Sequence, residues 1–150
     1  MDAMRVSYTL DSTLDSVDKA EAAALTMALK VGFPEEDSGR ISLAVREATV
    51  NAVLHGNEYD SHKHVTLLLE AAPESLTVRV RDEGKGLDAD AIPDPLAPQN
   101  LSKESGRGIF LIRAFMDEVR FRIINPGTEV TMIKYVREAT RDGQEASKQL

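Results

Sequence analysis

The stretch from Ile41 to Asn57 constrains the fold more than any other part of the chain, because one helix carries two surfaces with opposite demands. At about 100° per residue, Ile41, Ala44, Val45, Ala48 and Ala52 form an apolar stripe that other elements have to cover. Glu47, Asn51 and His55, spaced i, i+4, i+8, run along the edge of that stripe. A carboxylate and a carboxamide at the margin of a core are costly to bury unless something pairs with them. The fold must therefore supply both a cover for the stripe and a partner for its polar edge.

The cover is legible on either side. Met4, Val6, Tyr8 and Leu10 alternate with Arg5, Ser7 and Thr9, which predicts a strand with one buried face. From Ser16, read as an N-cap, Val17, Ala20, Ala24, Met27, Ala28 and Val31 repeat at helical spacing until Gly32 stops them. Pro34 and the acids Glu35, Glu36 and Asp37 then open a second helix, expected to run to Leu54 or His55. Val65 to Glu70 and Leu76 to Arg81 read as a hairpin around Pro73-Glu74-Ser75, and strand parity puts Asp82 on the face of Leu76, Val78 and Val80. A third helix opens at Ser105-Gly106-Arg107-Gly108, and strands follow at Val119 to Ile123 and Thr128 to Met132 around Asn125-Pro126-Gly127. Hairpin-linked strands with interspersed helices predict an α+β domain over residues 1–137. Its architecture is a two-layer sandwich, with a mixed, mostly antiparallel sheet and helices on one face. Residues 138–150 form a polar, frayed tail.

Composition removes several function classes. The chain has no cysteine, which excludes disulfides, thiolate nucleophiles and Cys-ligated zinc and suits a reducing cytoplasm. No apolar run approaches the ~18 residues of a membrane span. A net charge of −7, from 25 acidic against 18 basic residues, argues against general attraction to nucleic acid or an anionic membrane. A local anion site would have to come from backbone N–H groups, a helix N-terminus, a few basic residues or a metal ion.

Each polar feature has a bland reading when taken alone. Glu47 and Asn51 fit a solvated stripe edge, and Gly84-Lys85-Gly86 fits a turn at the end of a strand. His55 reads as a helix-end residue, since no other His or carboxylate stands at chelate spacing with it. No Gly-x-Ser-x-Gly elbow supports serine hydrolase chemistry. Order is what distinguishes the chain: acid-x-x-x-Asn on a helix, Asp-x-Gly-x-Gly after a strand, a proline-containing loop over 88–105, Gly-x-Gly opening a helix, then Gly127-Thr128 entering a strand.

That order resembles the Bergerat-fold ATP-binding superfamily of gyrases, histidine kinases, certain chaperones and mismatch-repair ATPases, with its N box, two glycine boxes, lid and terminal Gly-Thr. Within it, Glu47-Ala48-Thr49-Val50-Asn51-Ala52-Val53-Leu54-His55-Gly56, Arg81-Asp82-Glu83-Gly84-Lys85-Gly86-Leu87 and Ser105-Gly106-Arg107-Gly108-Ile109 running on to Phe115-Met116-Asp117-Glu118-Val119 are similar to the small anti-sigma-factor serine kinases.

The resemblance implies ATP and Mg²⁺ as cofactors and a role for each residue. Asn51 would ligate Mg²⁺, and Asp82 would accept the adenine amino hydrogen. Gly84 and Gly86 would let the backbone approach the base, supported by Thr128. Gly106, Arg107 and Gly108 would bring N–H groups and a cation to the phosphates, and Glu47 would be the general base for a serine hydroxyl. The implied protein is a cytoplasmic serine kinase and anti-sigma factor. It would phosphorylate an anti-sigma-factor antagonist, sequester a sigma factor and act as a homodimer, with no direct contact to nucleic acid or membrane. Two rivals are a nucleotide-gated binding switch without kinase activity and a detached histidine-kinase catalytic domain.

Overall fold

The computed structural model describes residues 4–84 and 103–137, with side chains in the third helix described from Arg107 onward. Gly86, the proline-containing loop and the polar tail of the sequence reading lie outside the described residues.

The chain begins with β1 (Met4–Asp11), whose exit is capped by Thr13. The Thr13 side chain accepts the Ser16 N–H at 3.3 Å, so the N-cap is Thr13 and not the predicted Ser16. Starting three residues earlier lets α1 (Leu14–Val31) carry Ser16 as a buried residue in its first turn. Gly32 ends it at φ 108°, a left-handed conformation that glycine adopts without a Cβ penalty, and its N–H bonds to Ala28 and Leu29 carbonyls. The buried face of α1 holds three alanines, Ala20, Ala24 and Ala28. Small side chains let it lie close against α2 (Glu35–Val50), whose Ile41, Ala44, Val45 and Ala48 form the predicted stripe and are all buried.

The predicted long second helix is continuous in path but not in type. Its last residues, Asn51–Gly56, form a π-helical turn, seen directly in the 2.8 Å bond from the Asn57 N–H to the Ala52 carbonyl. Such turns insert an extra residue into a helix and gather at functional sites.

A five-stranded sheet covers the helices. β2 (His64–Ala72) and β3 (Ser75–Arg81) form the predicted hairpin, followed after α3 (Lys103–Phe115) by β4 (Glu118–Ile123) and β5 (Thr128–Tyr135). The spatial order is β1-β2-β3-β5-β4, and every pairing among the described residues is antiparallel. Register aligns the apolar residues across strands: Leu67 opposes Val80, which opposes Val130, and Leu69 opposes Val78, which opposes Met132. All six are buried and face the helices.

The other sheet face is laced with charge. Glu129, only 4% exposed, sits between Arg81 and Arg122, the latter at 3.1 Å. α3 packs on α2 and β4, which brings the glycine-rich segment back to the polar edge of α2.

Candidate functional site

The site is built where α2, the π turn, the end of β3 and the start of α3 and β5 converge. Glu47 and Asn51 lie one turn apart on the same helical path, both half-buried. Gly108 is seated against them. A Cβ added to Gly108 would stand 3.1 Å from Glu47 Oε2 and 3.4 Å from Asn51 Nδ2. α3 can approach the two polar side chains this closely only because position 108 carries no side chain. The third helix begins at Lys103, ahead of the predicted Ser105. Gly106 therefore falls at the end of its first turn, directly after the N–H groups that an α-helix leaves free, and the Gly108 N–H lies further along the helical ladder. Arg107 is exposed beside Gly108.

Asp82 forms the second half of the site. It is 8% exposed, on the inner face that strand parity predicted. Its Oδ1 accepts two backbone N–H groups, from Gly84 and from Thr128, each at 3.0 Å, and its own N–H donates to the Thr128 carbonyl at 3.0 Å. Burial pushes the Asp82 carboxyl above its ordinary 3.8, while the Gly84 and Thr128 N–H groups and the charge of Lys63 act the other way.

Three glycines close around this carboxylate. A Cβ at Gly56 would fall on the Asp82 side chain, one at Gly84 on the Gly56 carbonyl, and one at Gly127 on the Asp82 carbonyl. Gly127 also has φ 102°, so two independent reasons require glycine there. Asp82 is thus held by backbone alone on the sides that Gly56, Gly84 and Gly127 occupy, and both hydrogen bonds given to it by described residues fall on one of its two oxygens.

The two halves are joined through the π turn, which starts at Asn51 and ends at Gly56 against Asp82. Glu47, Asn51 and Gly108 are therefore brought together as one group, and Asp82, Gly84 and Thr128 as another. Among the predicted residues Gly86 is outside the described residues, and His55 is exposed, as a helix-end residue would be. Sequence reading passed over Gly56, Gly127 and Asn57 as site residues and treated them as turn punctuation. The available signal was their position, directly after the N box and directly before Thr128.

The arrangement fits a purine nucleotide with a divalent cation. A half-buried carboxamide offers the neutral oxygen that a hard cation accepts alongside phosphates and water. A carboxylate with one oxygen fixed by backbone presents an acceptor to an exocyclic amine, and the glycines let the surrounding backbone close up to that carboxylate.

Comparison with known proteins agrees. A family model for the histidine kinase-like ATPase domain matches residues 10–134. The chain is 32% identical over 116 residues to the serine-protein kinase RsbW of Bacillus subtilis, covering 73% of this chain and 72% of that protein. It is 26% identical over 140 residues to the serine-protein kinase RsbW of Listeria innocua, covering 89% and 88%. The solved RsbU and RsbW domains of a Mycobacterium tuberculosis protein share the fold with a TM-score of 0.64 at 21% identity, over 89% of this chain and 33% of that one. The histidine kinase domain of a blue-light activated kinase from Erythrobacter litoralis shares it at 0.55 and 21% identity, over 82% and 60%. With a family match over residues 10–134 and 32% identity to the Bacillus subtilis protein over most of both chains, the chain belongs to the histidine kinase-like ATPase domain family, alongside the RsbW serine-protein kinases.

Proposed function

We infer that the protein is an ATP-dependent protein serine kinase and anti-sigma factor, which phosphorylates an anti-sigma-factor antagonist and sequesters a sigma factor. The observation that carries the reading is the grouping of Glu47 with Asn51 against Gly108 at the start of α3. A switch that only bound nucleotide would have use for Asn51 and Asp82 but none for a carboxylate one turn away.

In this reading Asp82 accepts a hydrogen from the adenine amino group, Thr128 and Gly84 hold its carboxylate in orientation, and Asn51 ligates Mg²⁺. Gly106 and Arg107, and Gly86 of the first glycine box, complete the nucleotide site. Bound ATP with Mg²⁺ supplies the phosphoryl group and neutralises its charge, which leaves the protein mainly the tasks of positioning and electrostatics. Glu47 takes the proton of the incoming serine hydroxyl as that oxygen bonds to phosphorus and the bond to the departing diphosphate oxygen breaks. Placing base and metal ligand on consecutive turns of one helix fixes their spacing without reliance on a loop. The protein acts in the cytoplasm as a homodimer, without direct contact to nucleic acid or membrane. No helix among the described residues is long and apolar enough to cross a membrane.

Incubation with γ-labelled ATP, Mg²⁺ and the cognate antagonist is expected to produce acid-stable phosphoserine. Glu47→Gln should lower the rate by about 10²-fold or more with ATP affinity retained. Transfer at the wild-type rate by Glu47→Gln removes the proposed base, and an acid-labile product moves the chain to histidine phosphorylation.

A further inference from the structure

Asn57 follows the π turn directly and is 1% exposed, which makes it one of the most deeply buried polar side chains in the described protein. Its three polar contacts reach three separate segments. Nδ2 donates to Ser12 Oγ at 2.9 Å, just past β1, and to the His64 carbonyl at 3.0 Å, at the start of β2. Oδ1 accepts the Glu83 N–H at 2.7 Å, in the turn after β3. The amide orientation is fixed by its partners, since a backbone N–H can only donate and a carbonyl can only accept. Ser12 Oγ in turn donates a hydrogen bond to the Lys63 carbonyl at 2.6 Å, and the Glu83 carboxylate accepts the His64 N–H at 2.5 Å.

The consequence falls on Asp82. Successive N–H groups of one turn have side-chain acceptors: Glu83 N–H goes to Asn57, and Gly84 N–H goes to Asp82 Oδ1. Rotating the Asp82–Glu83 peptide would displace the Gly84 N–H that follows it and leave the carboxylate on the Thr128 N–H alone, with one anchor instead of two to fix its angle. The same residue anchors Gly56, its chain neighbour, against the Asp82 side chain.

We propose that Asn57 is a positioning residue for base recognition, tying the turn after β3 to β1 and β2 so that Asp82 meets the adenine amino group at one fixed angle. This rests on the reading of Asp82 as the adenine acceptor. Loss of Asn57 therefore weakens discrimination by the base and leaves recognition of the phosphates intact, because Gly106, Arg107 and Gly108 belong to α3 and Asn51 is seated against Gly108 at the opposite end of the π turn from Asn57.

The test is equilibrium binding of ATP, inosine triphosphate and inorganic tripolyphosphate, each with Mg²⁺, to wild type, Asn57→Ala and Asp82→Ala. Inosine triphosphate carries an oxygen where ATP carries the amino group. The preference for ATP over inosine triphosphate is expected to fall by about tenfold in Asn57→Ala, with tripolyphosphate binding unchanged. A folded Asn57→Ala that keeps the wild-type preference overturns the inference, as does an equal loss for all three ligands, which marks a purely structural role. If Asp82→Ala itself keeps the preference, the adenine-acceptor reading fails and the inference with it. Should Asn57→Ala not fold, Asn57→Ser replaces it, because its short hydroxyl cannot reach the Glu83 N–H. If neither folds, Ser12→Ala removes one acceptor of the amide. It is expected to lower the preference by about threefold, and an unchanged preference overturns the inference.

Discussion

Replacing Gly108 by alanine sets stability and catalysis moving in opposite directions. Gly108 lies inside α3, and no positive φ is recorded for it, so alanine relieves the helix of its glycine penalty of about 0.8–1 kcal/mol. The new methyl stands 3.1 Å from Glu47 Oε2 and 3.4 Å from Asn51 Nδ2. Those neighbours are ends of flexible side chains, so they yield by a few tenths of an ångström rather than unfolding the helix. Stability is therefore expected to rise by about 0.5–1 kcal/mol net, or about 2 °C in Tm for a domain of this size. Catalysis is less tolerant: a misplacement of 1 Å costs about 10²-fold, so a few tenths shared between base and metal ligand predicts a loss of roughly three- to tenfold in phosphotransfer. Thermal melts and single-turnover transfer from γ-labelled ATP, run on the same preparation, read both quantities. A Gly108→Ala protein that melts higher and transfers at the wild-type rate would show that the approach of α3 to Glu47 does not matter to the chemistry. One that loses activity only in proportion to unfolded protein would refute the sign of the stability argument.

Two carboxylates give opposite pH signatures. Asp82 is raised above 3.8, chiefly by burial, so the native state holds its proton more tightly than the unfolded chain; its unfavourable contribution is absent below 3.8 and present at neutral pH. Asp82→Asn should accordingly gain stability relative to wild type as pH rises above 3.8, in urea melts across pH 3 to 8, while losing its preference for ATP. Burial also works to raise Asp117, but the Tyr135 N–H at 2.8 Å, Lys134 and Arg137 outweigh it and hold the carboxyl below 3.8. Its favourable contribution is present above 3.8 and lost as pH falls through the lowered value, so Asp117→Asn should be destabilised at pH 7 and converge on wild type in acid. A glycine pair gives a further contrast, read by chemical denaturation: Gly39→Ala, in α2 with nothing within 4 Å of the added Cβ, should gain about 0.5–1 kcal/mol, whereas Gly127→Ala should lose more than that, from its φ of 102° and the Asp82 carbonyl. Glu129→Ala should cost about 1–3 kcal/mol by leaving Arg81 and Arg122 facing one another across the sheet, again by denaturant midpoint.

Much of the fold was legible because burial here follows period. Alternation in β3 and the alanine stripes of α1 and α2 each encode a single buried face, and the parity of β3 carried Asp82 inward correctly. The Thr13 cap escaped because Thr13 and Ser16 offer similar hydroxyls three residues apart, and the choice depends on how β1 hands the chain over. The pairing of Glu129 with Arg81 and Arg122 escaped for a different reason. It depends on the β3-β5-β4 order, and no local window contains residues from three strands. Within the site, Glu47, Asn51, Asp82, Gly84, Gly106 and Gly108 could be named through the family resemblance that the order of the motifs carries, but the closeness of Gly108 to Glu47 and of Gly56 to Asp82 comes from packing between distant segments.

The π turn at Asn51–Gly56 has a consequence for how the site tolerates insertion and deletion. An extra residue kept in α-helical geometry would rotate everything after it by about 100°, and the wider π turn takes it up instead, so Asn51 stays against Gly108 while Gly56 stays against Asp82. Deleting one residue within the turn would tighten it to an ordinary α-helix and leave Gly56 and Asn57 in phase with the base-recognition half of the site, whereas the same deletion earlier in α2 would turn Asn51 and Gly56 off their partners. The turn is the point on this helical path where length can change at least cost.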